Sequence, residues 1–145
     1  MRPSRPFSVA AALGLMVALS ACSTSSESGD LEAFSIQGNW TLTSGEGPNG
    51  AVEPVEGSPI TLEVDGQGTV HGNSGCNTYN GTATVEGNAV TFGPLMQTMM
   101  ACDEAVMTAE YAYTTALEGV SEGSVEDGGL VLTGEGVELR YDPTE

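Results

Sequence analysis

Glycine punctuates this chain so often that only short, tightly turned elements fit between its breaks. The 145 residues include 20 glycines, most of which fall between short segments that read as strands. Ile60-Thr61-Leu62-Glu63-Val64 alternates apolar and polar residues, as a strand with one buried face does. Asp65-Gly66-Gln67-Gly68 follows as a hairpin turn, because glycine accepts the positive φ that such turns need, and Thr69-Val70-His71-Gly72 returns. Residues 79–85 turn through Glu86-Gly87-Asn88 into residues 89–92, and residues 130–132 lead through Gly134-Glu135-Gly136 into residues 137–141. An earlier strand begins near Phe34 and carries Ile36, Trp40 and Leu42, whereas residues 45–57 read as a loop. The expectation is a mainly β domain: a small antiparallel, hairpin-rich sheet or a partly open barrel.

One stretch lacks this punctuation. Residues 103–118 contain neither glycine nor proline, and Val106, Ala109, Tyr113, Leu117 and Val120 recur at spacings of three and four. That is the apolar stripe of one amphipathic helix. Asp103 and Glu104 suit the positive end of its dipole, and Gly119 suits its stop. A helix of this length is expected to pack over a face or an open end of the barrel.

The N-terminus reads as an address. Arg2 and Arg5 precede an apolar run over residues 9–19, which is shorter than the roughly 20 residues needed to span a bilayer. Leu19-Ser20-Ala21-Cys22 then matches a bacterial lipobox, so residues 1–21 are expected to be a lipoprotein signal peptide and Cys22 the lipidated residue. The competing reading is an ordinary export signal that leaves Cys22 as a free thiol. Residues 22–34 are expected to form a flexible tether, being mostly small and polar, and residues 35–145 the folded domain. The expected location is the cell membrane, lipid-anchored and facing the extracytoplasmic side. After cleavage one basic residue, Arg140, faces 20 acidic ones, a formal charge of −19. Such a surface repels nucleic acid and anionic lipid, so no nucleic-acid partner is expected.

Trp40 and Leu42 are followed by Gly72-Asn73-Ser74-Gly75-Cys76-Asn77-Thr78-Tyr79 with Gly81, then Thr98-Met99-Met100-Ala101-Cys102, then Glu110 and Leu117 on the helix. In this order the motifs resemble the META domain family, whose bacterial members include the HslJ-type heat-shock lipoproteins. The resemblance implies a small, mainly β envelope domain with one helix and no settled biochemical activity, loosely linked to envelope stress. It departs from the family pattern at Thr78 and Met99, where members often carry Arg or Lys, so a charge-based role is not carried over.

With Cys22 lipidated, Cys76 and Cys102 are the two remaining thiols of an exported chain, and a structural disulfide between them is expected. A redox pair is the alternative, because Cys102 precedes a helix N-terminus. No catalytic residue is expected. Ser74 in Asn73-Ser74-Gly75 faintly resembles a protease nucleophile, but His71, the lone histidine, lies only three residues upstream. No cofactor and no metal site are expected, since one histidine and two bonded cysteines make no zinc site of ordinary type and the acidic turns lack calcium-loop spacing. Trp40, Tyr79, Phe92, Tyr111, Tyr113 and Tyr141 read as core or as the lining of a groove. Met96, Met99 and Met100 form a methionine-rich loop before Cys102 that serves either as an adaptable partner surface or as a plug in the barrel end. The candidate binding residues are therefore Met96, Met99, Met100 and Trp40. The expected function is a monomeric, non-enzymatic envelope lipoprotein that binds a protein or envelope component. The alternatives are a small-ligand carrier with a cavity lined by Trp40 and Tyr113, and a weak thiol-redox or hydrolytic enzyme.

Overall fold

The computed structural model describes residues 34–145. Cys22, the expected signal peptide and the expected tether up to residue 33 lie outside the described residues. The elements follow in the order β1 (Gly38–Gly47), β2 (Gly50–Ala51), β3 (Thr61–Val64), β4 (Thr69–Asn73), β5 (Thr78–Glu86), β6 (Ala89–Phe92), β7 (Met96–Gln97), α1 (Glu104–Glu118), β8 (Val120–Glu126), β9 (Gly129–Gly134) and β10 (Val137–Pro143). Eight strands form an antiparallel ring, β1-β3-β4-β5-β6-β8-β9-β10, which pairing of β10 with β1 closes. β2 folds back on the end of β1. β7 resumes the line of β6 along β5, after Gly93 donates its N–H to the Thr82 carbonyl at 2.8 Å.

The mainly β expectation with one helix holds, and the barrel is closed rather than partly open. Closure begins within the expected strand, where Trp40, Thr41 and Leu42 pair with β10, and extends into residues expected to be loop. Gly45 and Glu46 continue β1 and pair with Leu139 and Glu138. Local composition argues against a strand there, and a tertiary partner overrides it. β8 is a second departure, because Ser121, Glu122 and Gly123 interrupt any apolar alternation. It forms between two partners, β9 along most of its length and β6 at Ala89 and Glu122. The β6–β8 seam is thin, with Gly123 donating to the Asn88 carbonyl at 2.9 Å beside that one paired position.

Several glycines also lie inside strands rather than between them. At Gly72 on β4 a Cβ would run into the Thr61 carbonyl and the Tyr79 ring, so only glycine lets that ring lie against the strand. In the Asp65–Gly68 turn, Asp65 Oδ1 accepts the N–H groups of Thr69 and Gln67, both at 2.8 Å. Those bonds, Thr69's first, hold the Asp65 carboxyl below the usual carboxylate range.

The two ends of the barrel are closed differently. At the end where β1 finishes, α1 lies across the opening, with the Ala116 methyl against Gly47 and Val106, Ala112, Tyr113, Ala116 and Leu117 buried. At the other end residues 34–37 cross the opening. The Phe34 ring packs on Gly123 of β8, Ile36 is buried, and Trp40 Nε1 donates to the Ile36 carbonyl at 2.9 Å. Between them lies one apolar core that draws on all eight ring strands and the helix.

Candidate functional site

The helix-covered end holds the most unusual chemistry in the molecule. Glu110 sits on the buried face of α1, at a position where the apolar stripe would place a hydrophobe, and is only 8% exposed. Its Oε2 accepts from Ser74 Oγ at 2.5 Å and from the Asn77 backbone N–H at 2.8 Å, while Oε1 accepts from Asn77 Nδ2 at 2.8 Å. A buried carboxylate is costly unless its lone pairs are met, and here three donors meet them. The bonds tie the helix to the Gly75-Cys76-Asn77 turn between β4 and β5. Ser74 N–H also donates to the Asn77 carbonyl at 2.8 Å, which tightens the same turn.

Asn77 extends this network outward. Its Oδ1 accepts from the Met100 N–H at 2.7 Å and from Thr98 Oγ1 at 2.8 Å, and the Thr98 N–H donates to the Thr78 carbonyl at 3.1 Å. The Cys76–Cys102 disulfide, with Cα atoms 5.8 Å apart, ties the end of the segment to the same turn. One turn thus clamps both the helix and the methionine segment.

Directly beneath lies a cluster of three tyrosines. Tyr113 projects from α1 into the barrel and its hydroxyl lies 2.7 Å from the Tyr79 hydroxyl and 3.3 Å from that of Tyr141. β5 and β10, which carry Tyr79 and Tyr141, stand on opposite sides of the ring, so Tyr113 bridges the lumen. The Tyr79 hydroxyl also lies 2.8 Å from the Thr61 carbonyl on β3. Desolvation, before any neighbour effect, pushes all three phenols well above their ordinary pKa. Among the described residues no buried polar side-chain atom lacks a hydrogen-bond partner.

Several large apolar side chains face solvent at this end, beside the exposed Asp103 and Glu104. Met99 is 91% exposed, and Met96, Met100, Met107 and Tyr111 are exposed beside it in sequence, the last two one helical turn apart on α1. Of the two uses open to the methionine loop, a plug for the barrel end is thereby excluded, since its side chains point to water. Trp40 does not join this group. It is buried near the opposite end of the barrel, with its indole N–H spent on Ile36, so the expected binding set is divided between core and surface. Of the aromatics weighed as core or groove, Tyr111 alone is exposed. Ser74 is fully buried with a carboxylate as neighbour, whereas His71 is exposed on β4, so the two form no catalytic pair. A ligand cavity lined by Trp40 and Tyr113 would require both side chains to move, because each is part of the packed core.

The META domain family model matches residues 31–145. The chain belongs to the META domain family. Its barrel is similar to the NMR structure of a protein from Burkholderia xenovorans, with a TM-score of 0.64 and 29% identity over 74% of this chain and 82% of that one. It shares its fold with the crystal structure of a DUF4847 family protein from Bacteroides vulgatus ATCC 8482, at a TM-score of 0.51, 16% identity and coverage of 73% of this chain and 92% of that one. No match is found among curated proteins. In this META domain the residues of the Gly-Cys-Asn and Ala-Cys motifs and the helix glutamate meet at one clamp. In the sequence, Glu110 and Asn77 stand out only as parts of the family pattern. The one local signal is a glutamate one residue past Ala109 on an otherwise apolar helix face.

Proposed function

We propose that this META domain is a lipid-anchored, non-enzymatic binding module of the bacterial envelope that engages a protein through its methionine face. The observation that carries the reading is the exposure of Met96, Met99, Met100, Met107 and Tyr111 above a clamp built from Asn77, Glu110 and the disulfide. Flexible thioether side chains on a fixed backbone adapt to a partner while the chain itself loses little entropy on binding. The titratable groups held inside the domain are engaged, Glu110 with Ser74 and Asn77 and the three tyrosines with one another and the Thr61 carbonyl, which favours a structural use for them. A role in envelope maintenance or stress tolerance follows from location and family.

The test is in vivo crosslinking from intact cells, comparing the native chain with M96D/M99D/M100D. A specific protein captured by the first and lost by the second supports the reading. Equal capture by both, together with unchanged envelope-stress tolerance on deletion, overturns it. A Cys22→Ala variant should move from the membrane fraction to the soluble extracytoplasmic fraction, and retention in the membrane would sink the lipid anchor.

A further inference from the structure

We propose that Met96, Met99 and Met100, with Met107 as an additional donor, form a thioether site for a soft monovalent cation of the Cu(I) class. Such a site shares the methionine face with the protein-binding reading but requires no protein partner. Sulfur is concentrated in one short stretch. All four methionines of the described residues fall within residues 96–107, and all four are exposed. Every leucine and isoleucine of the described residues is buried or packs against the core. Apolar packing therefore does not account for methionine at these positions, and what methionine offers beyond leucine is a polarizable sulfur donor.

The chemistry of that donor is selective. A thioether is neutral, needs no deprotonation and prefers soft ions such as Cu(I). Among the described residues the thiols that would compete for such an ion are taken up, because Cys76 and Cys102 are bonded to each other. Among the described residues no cluster of three His, Cys, Asp or Glu side chains offers a harder site. Met-Gln-Thr-Met-Met places three thioethers within five residues, and consecutive Cα atoms are only about 3.8 Å apart. Each methionine side chain carries three rotatable bonds, which lets neighbouring sulfurs turn toward a shared ion. The chain is meanwhile fixed: Asn77 holds Met100 and Thr98, and the disulfide holds residue 102. Met107 lies in the first turns of α1, directly after that anchor. Asp103 and Glu104 are exposed between the two methionine groups, and the strongly acidic surface raises the local concentration of any cation.

Silver(I), which has the same thioether preference and does not change oxidation state in air, is the probe. It is titrated into the full chain in detergent micelles, with the methionine ε-methyl groups labelled for NMR. The expected result is saturable binding of one equivalent, with the methyl signals of Met96, Met99 and Met100 shifting together and that of Met107 shifting less. M96L/M99L/M100L keeps the apolar area and removes the donors, and it should bind at least about tenfold more weakly. Absence of saturable binding, equal affinity in the leucine variant, or saturable binding that leaves the Met96, Met99 and Met100 methyl signals unshifted would overturn the proposal. Specific protein capture by the native chain, together with no saturable silver binding by that same chain, would remove the cation site and leave the protein-binding reading standing.

Discussion

Truncating Glu110 would strand three donors at once: the Ser74 hydroxyl, the Asn77 N–H and the Asn77 side-chain amide. Glu110→Ala should therefore cost about 2–4 kcal/mol in urea denaturation, more than the loss of a single surface bond would explain. Glu110→Gln should also destabilise, because its NH2 group would face donors rather than acceptors. A cost below about 0.5 kcal/mol for Glu110→Ala would show that the carboxylate does not hold the clamp together. The tyrosine cluster gives a second residue-level expectation. A phenol whose pKa is raised on folding keeps its proton in the native state after the unfolded chain has lost it. Stability from Tyr79, Tyr113 and Tyr141 is thus fully present below about pH 10 and falls as the pH climbs above it. Denaturation midpoints measured between neutral pH and strongly alkaline solution should stay level and then drop, with tyrosinate absorbance of the three phenols rising together with unfolding. Ionisation of all three while the fold persists would contradict their burial.

At the scale of elements, the disulfide and the helix form one unit. Cys76 and Cys102 are 26 residues apart, and a crosslink of that span is worth about 3–4 kcal/mol through the entropy of the unfolded chain. Reduction, or the double variant C76S/C102S, should lower stability by about that amount. It should also raise amide exchange first in residues 98–107, which the crosslink holds to the β4–β5 turn. Uniform loosening of the whole barrel instead would mean that the crosslink does not act on that segment in particular. The barrel seam between β6 and β8 is the other weak element. It rests on one paired position and one further backbone bond, and the Phe34 ring packs on Gly123 there.

Over the whole molecule, charge acts at a range that no single contact captures. Arg140 is the single basic residue of the described domain, and it lies between Glu126 at 3.3 Å and Glu138 at 2.8 Å, all three exposed. The remaining acids repel one another with nothing to offset them, so screening should stabilise the fold. The melting temperature is expected to rise steadily as sodium chloride increases from low millimolar to about 0.5 M, where the Debye length falls to only a few ångströms. A melting temperature that falls or stays constant over that range would place the acids too far apart to matter. The alternating segments, their glycine turns and the one unpunctuated helix were legible in the chain because each is a local pattern, set by side-chain periodicity and by the φ values glycine permits. The pairing of Cys76 with Cys102 was legible too, because the cysteine count left few alternatives. Closure of the barrel was not, since the end of β1 and all of β8 carry weak strand signals and are strands only because distant partners complete their hydrogen bonds. Nor was the fate of Glu110, whose place in a buried network depends on a turn more than thirty residues away in sequence. Sequence by itself determined which elements form and what chemistry each carries. Tertiary structure alone decided which polar groups are buried together and which methionines meet water, because both depend on contacts between segments that no local periodicity encodes.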